Sequence, residues 1–414
     1  MAKITEEQFR YYYCLLAWLF MLFGMVFSKV MLSMGVIGLA LNAVFHRELA
    51  GHWRRFVGQP ALLALTGVFV LYALSGLWSE NTDWLANRLR MKLPFLLLPF
   101  SVAALPQFGQ REYRSLLYFF FLLLLAVCLY LLGWYLFHYE QVTHSYQTGQ
   151  VIPTPCRHIH FSLMTAFAAL IGWDLWRRRF YWRYPGVERA VQAAGGLFLV
   201  VFLHILAVRS GMVAFYLAAV YLLAWYAVAA RRWAIAIAVG GALAIGAWLA
   251  VRYVPTLQNK INYTLYNIHQ IRRGENLRDL SDAYRVATIQ AGVQMVREHP
   301  WTGVGIGDIR DATSAYMHRH YPELADTHYM PQSQAVLAAA ALGWPGLLLF
   351  GGCILLPFFY GGAFRDPLLA GFGLVALSAF LVEQLLETQT GSAFFLVFLL
   401  GFIRERIEAD LRTD

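Results

Sequence analysis

Residues 197–255 read LFLVVFLHILAVRSGMVAFYLAAVYLLAWYAVAARRWAIAIAVGGALAIGAWLAVRYVP. Three apolar runs follow one another, broken only by Arg209-Ser210-Gly211 and by Arg231-Arg232. The second and third approach the ~20 residues that a helix needs to cross a bilayer, and so does the first, which begins near residue 190. The runs do not alternate polar and apolar residues, as the strands of a membrane barrel do. Lipid satisfies no free backbone group, so a spanning segment of this kind is helical. The stretch decides the class: an all-α, polytopic membrane protein.

The remaining sequence agrees. The 414 residues are 59% hydrophobic and 14% charged, against about a quarter charged in soluble domains. The mean hydropathy is +0.52. The ~20-residue criterion, with a few short or tilted runs admitted, predicts about twelve spans. They lie near residues 11–28, 30–45, 61–78, 88–104, 116–138, 161–176, 190–208, 211–230, 234–251, 344–361, 368–386 and 391–403. The first, Tyr11–Ser28, has no small-residue cleavage site and reads as an anchor rather than a signal peptide.

The net charge of +9 is a topology signal and not a nucleic-acid footprint, because the basic residues sit in short loops. Even-parity loops and both termini carry eighteen Lys/Arg, and the short odd-parity segments six: Lys29, Arg88, Arg90, Lys92, Arg157 and Arg209. The positive-inside rule then places both termini in the cytoplasm and the long segment after Val251 outside. In a Gram-negative inner membrane, outside is the periplasm. The expected organisation is 1–251 as nine spans, 252–343 as one large periplasmic loop, and 344–414 as three spans and a cytoplasmic tail. The four cysteines form no C-x-x-C, so neither a disulfide framework nor a zinc site is indicated.

The loop is polar and structured. From Arg252 to Pro331 it holds nine Lys/Arg, eight Asp/Glu and five histidines. Ser281–Glu298 reads as an amphipathic helix, with Val286, Ile289, Val293 and Val296 on one face and Ser281 or Asp282 as cap. His299-Pro300 ends it. The turn Gly303-Val304-Gly305-Ile306-Gly307 resembles a phosphate cradle. It lacks the Lys-Ser/Thr of a nucleotide loop, and a tight turn explains it equally. A second helix, Gln332–Leu342, is expected to break at Gly343-Trp344-Pro345-Gly346.

Several residues carry candidate chemistry. Arg209, at a span end beside Ser210, offers a fork that matches phosphate oxygens bidentately. The plainer alternative is an arginine snorkelling to the lipid surface. Arg285 stands in the first turn of the external helix. Arg157, His158 and His160 open the sixth span as a polar cap, with no acidic partner in sequence for a metal. Glu383 and Glu387, four apart near the outer end of the eleventh span, are functional candidates because carboxylates at membrane depth are costly. They serve equally as structural partners for Arg209 or Arg285.

The order of motifs resembles a known family. R-S-G closes a span at Arg209. Y-R-x-x-x-I-x-A-G-x-x-M-x-x-x-x-P-W-x-G-V-G-I-G-D begins at Tyr284, and P-Q-S-Q-x-V-L-x-x-x-x-L-G-W-P-G-L-L-L-F at Pro331. Together they look like the O-antigen ligase and polymerase superfamily. E-x-x-L-E-T-Q-x-G, from Glu383, is similar to a pattern of its Bacteroidetes-type members. The resemblance implies a GT-C-like glycosyltransferase that needs no metal, nucleotide or other cofactor. It moves a glycan from undecaprenyl diphosphate to an acceptor hydroxyl on the periplasmic side. The family's essential arginines fall on Arg209 and Arg285. They bind the diphosphate and stabilise its departing charge.

One position departs from the pattern. The family usually has P-H-N-Q where this chain has Pro331-Gln332-Ser333-Gln334. Gln332 stands where the acceptor-activating histidine is expected. His328, four residues earlier, either takes over that role or leaves Gln332 to orient the acceptor. Arg157, His160, Ser210, Glu383 and Glu387 are the expected substrate-binding residues. The acceptor is lipid A-core for a ligase, another lipid-linked repeat for a polymerase, or a protein for an oligosaccharyltransferase. A lipid-linked glycan transporter with the same arginines is the rival class, though no inverted repeat is visible.

Overall fold

The computed structural model describes residues 5–46, 48–106, 108–273, 277–324 and 330–410. The described residues form helices and no strand. In chain order the helices are α1 (Glu6–Phe27), α2 (Lys29–Val44), α3 (Leu49–Val57), α4 (Pro60–Ser75), α5 (Thr82–Ala103) and α6 (Gln110–Phe137). There follow α7 (Tyr139–Ser145), α8 (His158–Arg178), α9 (Pro185–Leu206), α10 (Arg209–Ala230), α11 (Trp233–Tyr253) and α12 (Pro255–Arg273). The last are α13 (Ser281–Glu298), α14 (Ile309–His320), α15 (Gln334–Phe359), α16 (Pro367–Val382) and α17 (Gln389–Asp410).

Each of the twelve apolar runs falls on one of these helices. Seven helices among the described residues are long and apolar enough to cross a membrane: α1, α6, α8, α9, α10, α11 and α15. They become eight if α2 and α3, bent by 110°, count as one span. The others fall short in length or carry too much charge. Both α4 and α16 have 16 residues, and α5 contains Asp83, Arg88, Arg90 and Lys92.

The chain divides into two compact units. One comprises Met1–Tyr113, Gln270–Ala363 and Phe380–Asp414, and the other Arg114–His269 and Phe364–Ala379.

In the second unit α8 is the core, buried along most of its length from His160 to Leu175. The end of α9 is fixed by side chains that take its terminal carbonyls: Thr256 Oγ1 donates to Ile205 O (2.6 Å) and Tyr146 OH to Leu206 O (2.9 Å). Such carbonyls have no partner within their own helix. Ala207 then adopts left-handed dihedrals (φ 51°) and the chain reverses into α10 at Arg209.

In the first unit α13 packs on α15 through small residues. Ala283, Ala287, Thr288, Ala291, Gly292, Met295 and Val296 are buried. A side chain at Gly292 would meet Val336 at 2.6 Å. This corrects two expectations. Of the expected stripe Val296 is buried and Ile289 half-buried, but Val286 and Val293 are exposed, so the buried face is mainly the alanine–glycine face. Close approach of two helix backbones favours small residues over large apolar ones. The cap is Leu280, without a side-chain hydrogen bond, and not Ser281 or Asp282. The second loop helix starts at Gln334, where Ser333 Oγ accepts from Val336 N (3.4 Å), and leaves helical dihedrals at Gly343 as expected.

Candidate functional site

The glycine turn is wedged among backbone and hydroxyl groups. Gly303 (φ +66°) lies so near α15 that a Cβ would stand 2.4 Å from the Ala341 carbonyl carbon. Val304 N donates to Ala340 O and Gly305 N to Ala341 O. Ile306 N donates to Ser75 Oγ and Gly307 N to Ser79 Oγ. Four consecutive amides are thus committed to protein acceptors. The turn docks α13 and α14 onto α4 and α15, the plainer of the two readings, and does not offer a phosphate cradle.

That docking places Arg285 against the turn between α16 and α17. Its Nη1 lies 3.4 Å from Asp282 Oδ1 and its Nη2 3.8 Å from Glu383 Oε2. Glu383 is buried, and its own carbonyl accepts from Gln334 N (3.2 Å). The structural pairing of Glu383 with Arg285 is therefore present. Glu383 and Glu387 do not share a helical face, however. The expected eleventh run becomes α16, which ends at Val382, and Glu387 closes a short 3₁₀ turn, Leu385–Glu387.

Glu387 is the centre of a buried polar network. Its Oε1 accepts from Tyr72 OH (2.7 Å), Lys92 Nζ (2.7 Å) and Gln334 Nε2 (3.1 Å). Lys92 Nζ also donates to Leu386 O. Leu386 N donates to Gln334 Oε1 (3.0 Å). Arg88, one turn before Lys92 on α5, donates weakly to Glu387 O (3.5 Å) and stands 3.8 Å from Oε2. Four elements, α4, α5, α15 and the 385–387 turn, meet on one carboxylate. A buried charge is tolerated only when so paired and hydrogen-bonded.

Tyr72, Arg88, Lys92 and Gln334 were not singled out in the sequence. Arg88 and Lys92 entered only the charge count. Their signal was there: two cations four apart, leading into the apolar run L-P-F-L-L-L-P, are functional candidates by the same rule as the carboxylates. Gln332 is half-buried and precedes the cap of α15, so it stands two residues from Gln334 without joining the network. His328 lies outside the described residues.

In the second unit Arg209 and Ser210 begin α10, and Arg157 caps α8, whose first turn buries His160. The two helix starts adjoin closely: a Cβ on Gly211 would stand 2.6 Å from Ser162 Oγ. Arg157, His160, Arg209 and Ser210 therefore gather at one end of the α8–α10 pair.

Among the described residues one group has separations that suit a metal, His46, Glu48 and His52, with ligand atoms within 4.8 Å of one another. Its chemistry fits poorly. Arg10 Nη1 meets His46 Nε2 at 2.7 Å and Glu48 N meets Nδ1 at 3.2 Å, so donors face both ring nitrogens. None of the residues above belongs to it.

Residues 194–351 match the family model described as O-Antigen ligase. This segment contains Arg209, the whole of α13 with Arg285, and the start of α15. The match supports the resemblance to the O-antigen ligase superfamily over this segment. A search of curated proteins finds no significant match. The family implies a membrane enzyme that transfers glycosyl groups, with a lipid-linked glycan and an acceptor as its partners in general. Glu383 and Glu387 lie beyond the matched segment, yet they contact it through Arg285 and Gln334.

Proposed function

We propose that this protein transfers a glycan from undecaprenyl diphosphate to an acceptor hydroxyl at the periplasmic face of the inner membrane. The reaction is the ligation of O-antigen to lipid A-core in lipopolysaccharide synthesis. The observation that carries this reading is Arg285: a guanidinium inside the family segment, held by Asp282 and Glu383 with distances of 3.4 and 3.8 Å. A phosphate oxygen forms shorter charge-assisted bonds than these and competes for the fork. The family analogy extends the role to Arg209. The modest outer segment His138–His160 favours ligase over polymerase, which often carries a second large external loop.

In this reading twelve spans cross the membrane with both termini cytoplasmic, 1–251 and 344–414 form the bundle, and 252–343 stands in the periplasm. Arg157, His160, Ser210, Glu383 and Glu387 shape the substrate site. Arg209 and Arg285 bind the diphosphate and stabilise the charge that develops as it leaves. Gln332 or His328 meets the acceptor. Diphosphate is a good leaving group, so the general base carries less of the barrier than the arginines do.

The test is reconstitution of purified protein with undecaprenyl-diphosphate glycan and lipid A-core, with neither metal nor nucleotide added. Transfer to lipid A-core is the expected result. Chain extension of the donor alone identifies a polymerase, and movement of donor across vesicles without transfer overturns the assignment in favour of transport.

A further inference from the structure

Trp84, in the first turn of α5, carries two arginines. Arg88 Cζ lies 4.3 Å from the indole ring centroid and Arg310 Cζ, at the start of α14, 4.8 Å. The two guanidiniums are therefore no more than about 9 Å apart. Both are permanently charged, and like charges this close repel unless a counter-charge stands with them.

Two neighbouring carboxylates are engaged elsewhere, and a third reaches Arg88 only loosely. Asp308 accepts from Glu80 N and Asn81 N, both at 2.8 Å. Asp311 accepts from Asn81 Nδ2 at 2.7 Å. Glu387 Oε1 is taken up by Tyr72, Lys92 and Gln334, and its Oε2 pairs with Arg88 only at 3.8 Å. Among the described residues Arg310 makes no ion pair and no side-chain hydrogen bond. Three buried nitrogens around the ring have no acceptor: Trp84 Nε1, Arg88 Nε and Arg310 Nε. All three are donors. Buried donors without acceptors are rare and call for a bound acceptor group.

We propose that Trp84, Arg88 and Arg310 form a binding site for a phosphoryl group. A phosphoryl group brings several acceptor oxygens and up to two negative charges, which matches two planar forks and an indole N–H. A single carboxylate matches less of this donor set. The indole positions both cations, and Arg88 is buried with only long contacts to Glu387, at 3.5 and 3.8 Å. The chemistry suits a lipid headgroup and a free phosphate alike. The site does not depend on the transfer reaction, and binding is read without turnover.

The experiment is a thermal-unfolding titration of the full-length protein in neutral detergent at low salt. One arm adds inorganic pyrophosphate, and the other adds undecaprenyl phosphate in mixed micelles. A saturable rise of the unfolding midpoint is expected in at least one arm, and the responding arm names the source. Arg88→Gln and Arg310→Gln should each weaken that binding roughly tenfold or more, the loss expected for a charge-assisted bond. Arg310→Lys should retain part of it. Arg310 is half-exposed, so its variants carry the test even where Arg88→Gln fails to fold. No saturable shift in either arm, or equal affinity in wild type and Arg310→Gln, overturns the site.

Discussion

Lys92 Nζ lies 2.7 Å from Glu387 Oε1 across 295 positions of sequence, with both side chains buried. The pair joins α5 to the turn between α16 and α17, and Tyr72 and Gln334 close the ring around it. Removing one partner leaves an uncompensated buried charge, which costs about 3–5 kcal/mol. Lys92→Ala should therefore lower the thermal midpoint in detergent sharply. Lys92→Met with Glu387→Leu should be milder than Glu387→Leu alone, because Arg88 is then the one cation left without its carboxylate rather than Arg88 and Lys92 together. Equal loss in the single and double variants would contradict the pairing.

Arg285 is held by carboxylates at distances that a phosphate can outbid. In the reconstituted assay Arg285→Ala and Arg209→Ala should each reduce transfer by roughly 10²–10³-fold, as loss of an electrostatic stabiliser does. Lysine at either position should also be poor, since a point charge does not reproduce the fork. Near-normal turnover in a lysine variant argues against bidentate diphosphate binding. Chelator should leave the rate unchanged, and activity lost to chelator but restored by Mg²⁺ defeats the metal-free mechanism.

The acceptor side divides between two residues. If His328 is the base, His328→Ala should cut transfer ~10²–10⁴-fold, with Gln332→Ala milder. If Gln332 orients the acceptor, the order reverses and Gln332→His should raise the rate. Full activity of His328→Ala across neutral pH removes the histidine from the mechanism.

Gly303 has a positive φ and no room for a side chain against Ala341. Gly303→Ala should destabilise the protein by about 1–3 kcal/mol from the backbone alone, with a further cost from the clash. It should also loosen α13, so that proteolysis within the 252–343 segment accelerates. Unchanged stability and protease resistance would show that this turn does not dock the loop.

Topology is testable at Glu298, an exposed residue at the end of α13. A Glu298→Cys variant should react with an impermeant maleimide in intact spheroplasts, and labelling only after lysis reverses the orientation. Background is low. Cys14 and Cys128 are buried, and burial pushes the Cys156 thiol up to about 12, which leaves little reactive thiolate.

The sequence by itself determined the helical class and the helix positions. Long apolar runs have one way to satisfy their backbone in lipid, so the apolar runs fall on helices, seven of them of membrane length among the described residues, and Ser281–Glu298 is a helix with the expected bounds. Arg209, Arg285, Glu383 and Glu387 were legible as candidates because charge beside lipid-length runs is expensive. Which face of α13 is buried was not legible, because hydrophobicity favours the valines while the approach of two backbones favours alanine and glycine. The partners were not legible either. Glu383 takes Arg285, and Glu387 takes Lys92, Tyr72 and Gln334, residues up to 315 positions away. Periodicity acts within a turn or two of helix, whereas a buried charge is neutralised by whatever the tertiary fold brings within about 3 Å. Only the packing of α4, α5, α13 and α15 around one turn decided that.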